Sequence, residues 1–544
     1  MNRVDLSARG WAHSGGSHVR GEAHLDDRFL DARELARALD ACTTDTDWIG
    51  TVRRLNGRFA AVTAREDRLR AAVDRTRSIP LFYTNEGGAA RVGDNASRLV
   101  PEDDPATLDA IVDQEFRLTG YVTGAQTLHP RVFQVEAGQA VVFDLSHPRT
   151  QEHVRYHEFR HGDFFAKSSD LVSPLEAVHE NVFRRLQRST EGRTLALPLS
   201  GGYDSRLIAV SLRDLGARDI VCYSYGVPGN WESRISSEVA HYLGFRWEFV
   251  AYSAERWRAW AATDRFDAYF RTAGNLASVP HIQDWPAVLE LQRERRVPPD
   301  TVFVPGHSGD FLAGSHIPKT FAGRSAVARR EVLDALLDAH YSLWDWPPGV
   351  QTELRSEFER RIEAVIGPVV DGTAEQAADA FERWDLQERQ AKFICNSVRV
   401  YDDFGFEWRL PLFDHELMDF WARVPLELRI GRQLYFEFVR QRQALPVTAA
   451  NTDRGALAQA VVGAIDRFGW RSAAKEVQRV VRRRRWRHVY AHSPLAWFTL
   501  VDRDAFRSSY TGRELMHSYL ALKYRDDVVR TIRGTRRNPE AVTR

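Results

Sequence analysis

Leu195-Ala196-Leu197-Pro198-Leu199-Ser200-Gly201-Gly202-Tyr203-Asp204-Ser205-Arg206 is an apolar run that breaks into two glycines, a carboxylate and a hydroxyl. Leu207, Ile208, Val210 and Leu212 follow at helical spacing. The pattern predicts a strand over 195–199, a tight loop and a helix over 205–215. Glycines let a backbone approach a ligand without a Cβ in the way. The first N–H groups of a helix lack internal partners and carry partial positive charge, so they bind anions. Asp204 repels a bare phosphate and suits one that arrives with a divalent cation. The loop reads as a cradle for a Mg2+-bound nucleotide tail; a plain strand-to-helix turn is the alternative. The chain contains neither Gly-Lys-Ser nor Gly-Lys-Thr, so the Walker loop does not describe it.

Around this stretch the chain reads as α/β. Ser173 is expected to cap a helix with Pro174 in its first turn, and Leu175, Val178, Val182, Phe183 and Leu186 share one face. Beyond the loop come a strand over 219–225, a helix from Glu232 to Tyr242 closed by Gly244, and a strand over 247–250. Such alternation implies a parallel sheet covered on both faces, with ligands beyond the carboxyl ends of its strands. Residues 1–155 read as β-rich, with strands at Phe59–Val62, Ile79–Tyr83 and Gln139–Phe143, and the stretch from His147 to Ser173 as a linker. From about 323 onward the chain is helical, with one face at Val332, Leu333, Leu336 and Leu337 and another at Leu417, Phe420, Trp421 and Val424. Residues 461–544 read as a helical, basic extension. Its Arg479–Arg487 segment is either a solvated helix face or a patch for an anion or RNA.

The 544 residues suffice for two to four domains. The 75 basic and 74 acidic side chains nearly cancel, so no global attraction for nucleic acid or an anionic membrane is expected. Cys42, Cys222 and Cys395 lie far apart and form neither a zinc motif nor a disulfide framework. No apolar run approaches the ~18 residues of a membrane helix. The start, from Met1 to Ser7, lacks the apolar core of a signal peptide. A cytoplasmic location is expected, and a homodimer stays open.

A second acidic loop follows another apolar run. Val302-Phe303-Val304-Pro305 leads into Gly306-His307-Ser308-Gly309-Asp310. If both strands share a sheet, Asp204 and Asp310 can face one pocket, and two carboxylates with phosphate oxygens suit Mg2+. The alternative is that Asp310 caps the next helix. A third constellation, Glu407-Trp408-Arg409-Leu410-Pro411 with Asp414, places a Glu and an Arg in an otherwise apolar stretch, where burial demands pairing or use.

These three motifs, in this order, resemble the synthetase domain of the class B (glutamine-hydrolysing) asparagine synthetase family, which also contains the β-lactam synthetases and lasso-peptide cyclases. Leu199 to Ser205 is similar to its pyrophosphate loop, and Tyr225-Gly226 with Glu232 to its adenosine-side strand and helix. Gly306 to Asp310 lies where the family has Gly-Glu-Gly-Ser-Asp. The resemblance implies an ATP-pyrophosphatase fold over 170–460. It implies an N-terminal-nucleophile (Ntn) hydrolase-like αββα domain over 1–155, carried by Leu55-Asn56-Gly57-Arg58-Phe59-Ala60 and Asp74-Arg75. It further implies ATP and Mg2+ as ligands. Leu199, Ser200, Gly201, Gly202, Tyr203, Asp204, Ser205, Tyr225, Gly226 and Gly306 would contact the nucleotide. Asp204 and Asp310 would hold the metal. His307 and Glu407 would accept protons, and Arg454, in place of the family's lysine, would contact phosphates. The implied reaction adenylates a small-molecule carboxylate, releases pyrophosphate and passes the acyl group to ammonia or an amine. The family's glutaminase needs a cysteine exposed after Met1, where this chain has Asn2, which carries no nucleophilic atom. The first domain is therefore expected to be a scaffold. A non-catalytic relative and an RNA-modifying enzyme with this loop are the alternatives.

Overall fold

The structure is a computed structural model. It describes residues 3–26, 28–65, 67–86, 89–101, 107–147, 150–166, 170–347, 349–442, 485–510 and 515–534.

The first domain is built on period-two strands. In Leu55–Ala64, Phe59 and Ala61 face a cluster with Leu35, Leu39, Trp48 and Val52 of the helices Ala32–Asp40 and Asp45–Arg54. Ala60 and Val62 face the opposite cluster with Phe82, Val92 and Leu99. Alternation on a pleated strand thus puts helices on one face of a seven-stranded sheet and a four-stranded sheet on the other. The segment Ile79–Tyr83 only partly forms the expected strand. Pro80 has no N–H to donate, and pairing begins at Phe82, in the strand Phe82–Glu86. The expected linker is also shorter than 147–173: Gln151–Arg155 is a strand, paired antiparallel to Gln139–Asp144. Cys42 sits on this domain's helical layer, its Sγ 3.5 Å from the Thr51 hydroxyl; all three cysteines are free. Asn2 lies outside the described residues.

The second domain carries a five-stranded parallel sheet. Its order is Arg246–Ala251, Ile220–Gly226, Leu195–Pro198, Val302–Phe303, Glu407–Trp408. Both faces are buried: Leu195 and Leu197 join one core cluster and Ala196 the other. The chain runs outward from Leu195–Pro198 through two strands, then returns to that strand's other side, so the order reverses between Leu195–Pro198 and Val302–Phe303. Pairing stops after Phe303. The Val304 N–H still reaches the Ala196 carbonyl (2.9 Å), but Pro305 cannot continue the ladder.

Helix Val172–Ser189 begins before Ser173. Asp170 accepts the Val172 N–H (3.0 Å) and the Ser173 hydroxyl (2.9 Å), so Ser173 donates inside the first turn instead of capping it. The helix after the loop spans Tyr203–Asp214, two residues earlier than expected, which brings Asp204 and Ser205 into its first turn. Helix Ala374–Asp385 runs on into a wide π-helical stretch, Leu386–Ile394, then Cys395–Val398 and Arg399–Asp403. The described part of the C-terminal extension does not stand apart. Phe498, Phe506, Tyr519 and Tyr524 share the cluster that holds Phe82 and Phe116. Arg482 to Arg484 lie outside the described residues.

Candidate nucleotide site

The order of the sheet reverses where the two acidic loops leave it. Open α/β sheets bind ligands at such a point, because loops from adjacent strands diverge there and leave a crevice. Here the crevice is a cavity of about 520 Å³ lined by Ser200, Asp204, Ser205, Gly306, His307 and Asp310, among others. The two loops touch: the Asp310 N–H donates to Asp204 Oδ2 at 3.1 Å. A Cβ on Gly306 would come within 2.8 Å of the Ser205 backbone nitrogen, and one on Gly309 within 3.0 Å of the Asp204 carboxyl carbon. Glycine at both positions is what lets the second loop lie directly on the first.

Two serines pin the first loop. The Ser200 N–H donates to Ser205 Oγ (3.1 Å), the Gly202 N–H to Ser200 Oγ (3.1 Å), and the hydroxyls meet at 3.1 Å. Gly202 is the N-cap of the following helix, with no side chain capping its first N–H groups, which leaves them suited to an anion. Gly201 lies against the Trp231 ring.

Burial and the neighbouring Asp310 carboxylate push the Asp204 carboxyl up to about 7. The Tyr435 hydroxyl donates to Asp204 Oδ1, and the Arg432 guanidinium, on the cleft wall, offsets only part of the repulsion. Two crowded carboxylates with so little positive charge fit a divalent cation. Among the described residues no cluster of three or more His, Cys, Asp or Glu could hold a metal. An ion bound here would therefore take two protein carboxylates and fill its shell from phosphate and water, the coordination Mg2+ favours.

His307 faces the same cavity. Its Nε2 lies 3.2 Å from Ser397 Oγ, and its Nδ1 is buried without a partner. Burial lowers its pKa to about 4, so the ring is neutral at pH 7. Ser308 holds a left-handed backbone (φ 65°), fixed by its hydroxyl bond to Gln390 Oε1 at 2.7 Å. Gln390 and Ser397 flank the end of the π-helical stretch, and such stretches occur often at functional sites.

Several expected site residues lie elsewhere. Leu199 is buried, with its N–H bonded to the Tyr223 carbonyl (2.9 Å), and its side chain belongs to the core. Tyr225 lines the cavity and accepts the Gln283 amide at 3.1 Å. Gly226 is turned toward the C-terminal extension, where a Cβ would meet the Pro494 carbonyl at 2.7 Å, and that carbonyl accepts the Val227 N–H. Glu407 does not reach the cavity. It sits on the edge strand Glu407–Trp408 and pairs with Arg193 (3.0 Å), Arg409 (3.1 Å) and Arg58 (3.4 Å), which hold its carboxyl at about 2 despite partial burial. A carboxylate so held is no proton acceptor for chemistry beside His307. Arg409 also grips Glu22 of the first domain (2.7 Å), and Asp414 takes Arg185 (2.8 Å) and Asn56 (3.2 Å). The third constellation is thus a joint between domains. Arg454 lies outside the described residues.

Tyr435, Arg432, Ser397, Gln390 and Asp284 were not foreseen. They arrive on separate elements, and no local string marks them.

Residues 176–441 match the family model of asparagine synthase. Through this segment the chain is similar to an asparagine synthetase-like family. It is 29% identical over 195 residues to the carboxyethyl-arginine beta-lactam-synthase of Streptomyces clavuligerus, covering 36% of this chain and 35% of that one. It is 30% identical over 152 residues to a probable asparagine synthetase [glutamine-hydrolyzing] of Acanthamoeba polyphaga mimivirus, covering 24% and 27%. The matches therefore span about a third of these relatives' lengths. Among solved structures, the glutamine phosphoribosylpyrophosphate amidotransferase of B. subtilis with ADP and GMP overlaps 54% of this chain and 63% of its own at 10% identity and a TM-score of 0.18. An allosteric regulatory enzyme of purine biosynthesis overlaps 43% and 59% at 12% identity and the same TM-score.

Proposed function

We propose that the chain is an ATP-dependent, AMP-forming ligase that joins a small-molecule carboxylate to ammonia or an amine. The observation that carries this reading is the meeting of Asp204 and Asp310 at the point where the sheet order reverses. Residues 170–460 act as the synthetase domain. Residues 1–155 act as an Ntn-like, amidotransferase-derived scaffold without glutaminase activity.

The Ser200–Ser205 loop and the helix N-terminus behind it receive the phosphates, with Arg432 on the facing wall. Asp204 and Asp310 hold Mg2+, which neutralises phosphate charge when bound. A carboxylate oxygen attacks the α-phosphorus and the bond to the β-phosphate bridge breaks. Pyrophosphate leaves and an acyl-adenylate remains. The amine nitrogen then attacks the acyl carbon and AMP departs. His307, neutral and on the cleft wall beside Ser397, helps to position the attacking amine.

The test is pyrophosphate release from ATP across a panel of carboxylic acids, with and without ammonia, glutamine and simple amines. Release of AMP and pyrophosphate with a carboxylate and an amine, but not with glutamine alone, is expected. ADP and phosphate as products, or ammonia set free from glutamine, would contradict the reading.

A further inference from the structure

The cleft holds a third carboxylate that adenylation does not use. Asp284 immediately precedes helix Trp285–Arg293, yet its side chain bonds none of the helix's first N–H groups. It accepts the Tyr401 hydroxyl instead, at 3.1 Å, and lines the cleft beside Tyr225, His281 and Gln283.

Deeply placed carboxylates in this protein are satisfied from within: Asp74 accepts the hydroxyls of Thr76 and Ser78 and the Phe59 N–H, and others have cationic partners. Glu115 has Arg361 (2.7 Å), Glu388 has Lys392 (2.6 Å) and Asp402 has Arg20 (2.6 Å). Asp284 has no ion pair among the described residues, and burial pushes its carboxyl up to about 6. The histidines of the cleft do not supply the missing charge. Burial holds His281 well below its ordinary value and His307 at about 4. Among the described lining residues the fixed cation is Arg432, which acts on Asp204. With Asp204 and Asp310 assigned to the metal, one half-buried carboxylate without an ionic partner is left, beside Tyr225 and Tyr401. A carboxylate that lacks an internal counter-charge at a cleft wall selects a cation.

We propose that Asp284, with Tyr225 and Tyr401, forms a subsite for a cationic nitrogen, an ammonium or guanidinium, on the substrate that shares the cleft with ATP. The word substrate rests on the ligase reading; the subsite itself is a matter of binding. The charged nitrogen belongs either to the carboxylate substrate or to the incoming amine.

Calorimetric titration of the full chain, loaded with Mg2+ and α,β-methylene-ATP, separates these sources. One arm compares 5-aminovalerate with hexanoate, the other butylamine with butanol. The charged member of at least one arm is expected to bind about tenfold or more tightly than its neutral counterpart. Asp284→Asn, which keeps an oxygen for Tyr401, is expected to erase that preference while the affinity for α,β-methylene-ATP stays as in the parent protein. Equal binding of charged and neutral probes by the parent protein overturns the proposal. So does a preference that survives the substitution, or a loss confined to the nucleotide, which would place Asp284 on the ribose. These probes bind without turnover. A chain that binds them as expected but releases no pyrophosphate would sink the ligase reading and leave the subsite standing.

Discussion

Two cavities lined with charged side chains flank the parallel sheet, and they treat charge in opposite ways. In the nucleotide cleft, Asp204, Asp310 and Asp284 face one arginine, and burial drives Asp204 up to about 7. In the smaller cavity between the domains, Glu22 and Asp414 meet Arg58, Arg185 and Arg409, and the same ion-pair network holds Glu407 down at about 2. Charges matched within the protein are structure. Charges left crowded and unmatched await a ligand that brings the opposite sign. The sequence made both sets look alike, as acids in apolar surroundings, and the direction of their pKa shifts tells them apart.

Removing the hub of the matched set has the largest expected effect. Arg409→Ala leaves Glu22 at the joint with Arg58 as its remaining cation and is expected to cost about 2–3 kcal/mol of stability, read as a drop in the urea midpoint. A loss below 1 kcal/mol would mean that the joint contributes little. Asp204→Asn should act on turnover instead, cutting pyrophosphate release by about a hundredfold with no loss of stability. If it unfolds the protein, the cleft is structural after all.

The contrast sharpens with pH. Asp204 has a folded pKa raised above its ordinary 3.8, so the folded state binds more protons between pH 3.8 and 7. The ligand-free protein should therefore lose stability as pH rises through that window, and Asp204→Asn should recover about 1–3 kcal/mol at pH 8. Glu407 has the opposite sign. Its pKa is depressed below 4.5, so its contribution is present above pH 4.5 and lost as pH falls toward 2. Urea unfolding of the ligand-free variants at pH 3, 5 and 8 reads both slopes. The smallest effect belongs to Glu407→Gln. Its side chain is 46% exposed, so a loss of about 1 kcal/mol or less is expected, with turnover unchanged.

The two acidic loops were legible because each packs its chemistry into one short string at the end of a strand. Asp204 and Ser205 lie at the loop-to-helix turn the pattern marks, in a helix that starts two residues earlier than expected, and Asp310 meets Asp204 from the second loop. Strand ends were less legible, for a local reason: Pro305 and Pro80 cut pairing short inside runs that otherwise read as strands. Glu407 was legible as a paired acid but not as lying away from the nucleotide cleft, because only the sheet order places its strand at the far edge. Asp284 was the least legible. One acid before Trp285-Pro286 reads as an ordinary helix cap, and its orphaned charge emerges only when Tyr401, more than a hundred residues on, folds against it. Tyr435 and Arg432 reach Asp204 from more than two hundred residues further along the chain.

The claim beneath all of this is that Asp204 and Asp310 form one cation-dependent triphosphate site. Calorimetric titration of ATP into the parent protein and into Asp310→Asn, each with and without Mg2+, tests it most directly. Strong Mg2+-dependent binding by the parent, lost in the variant down to the weak Mg2+-free level, is the predicted result. ATP binding that ignores Mg2+, or that Asp310→Asn leaves intact, would contradict it.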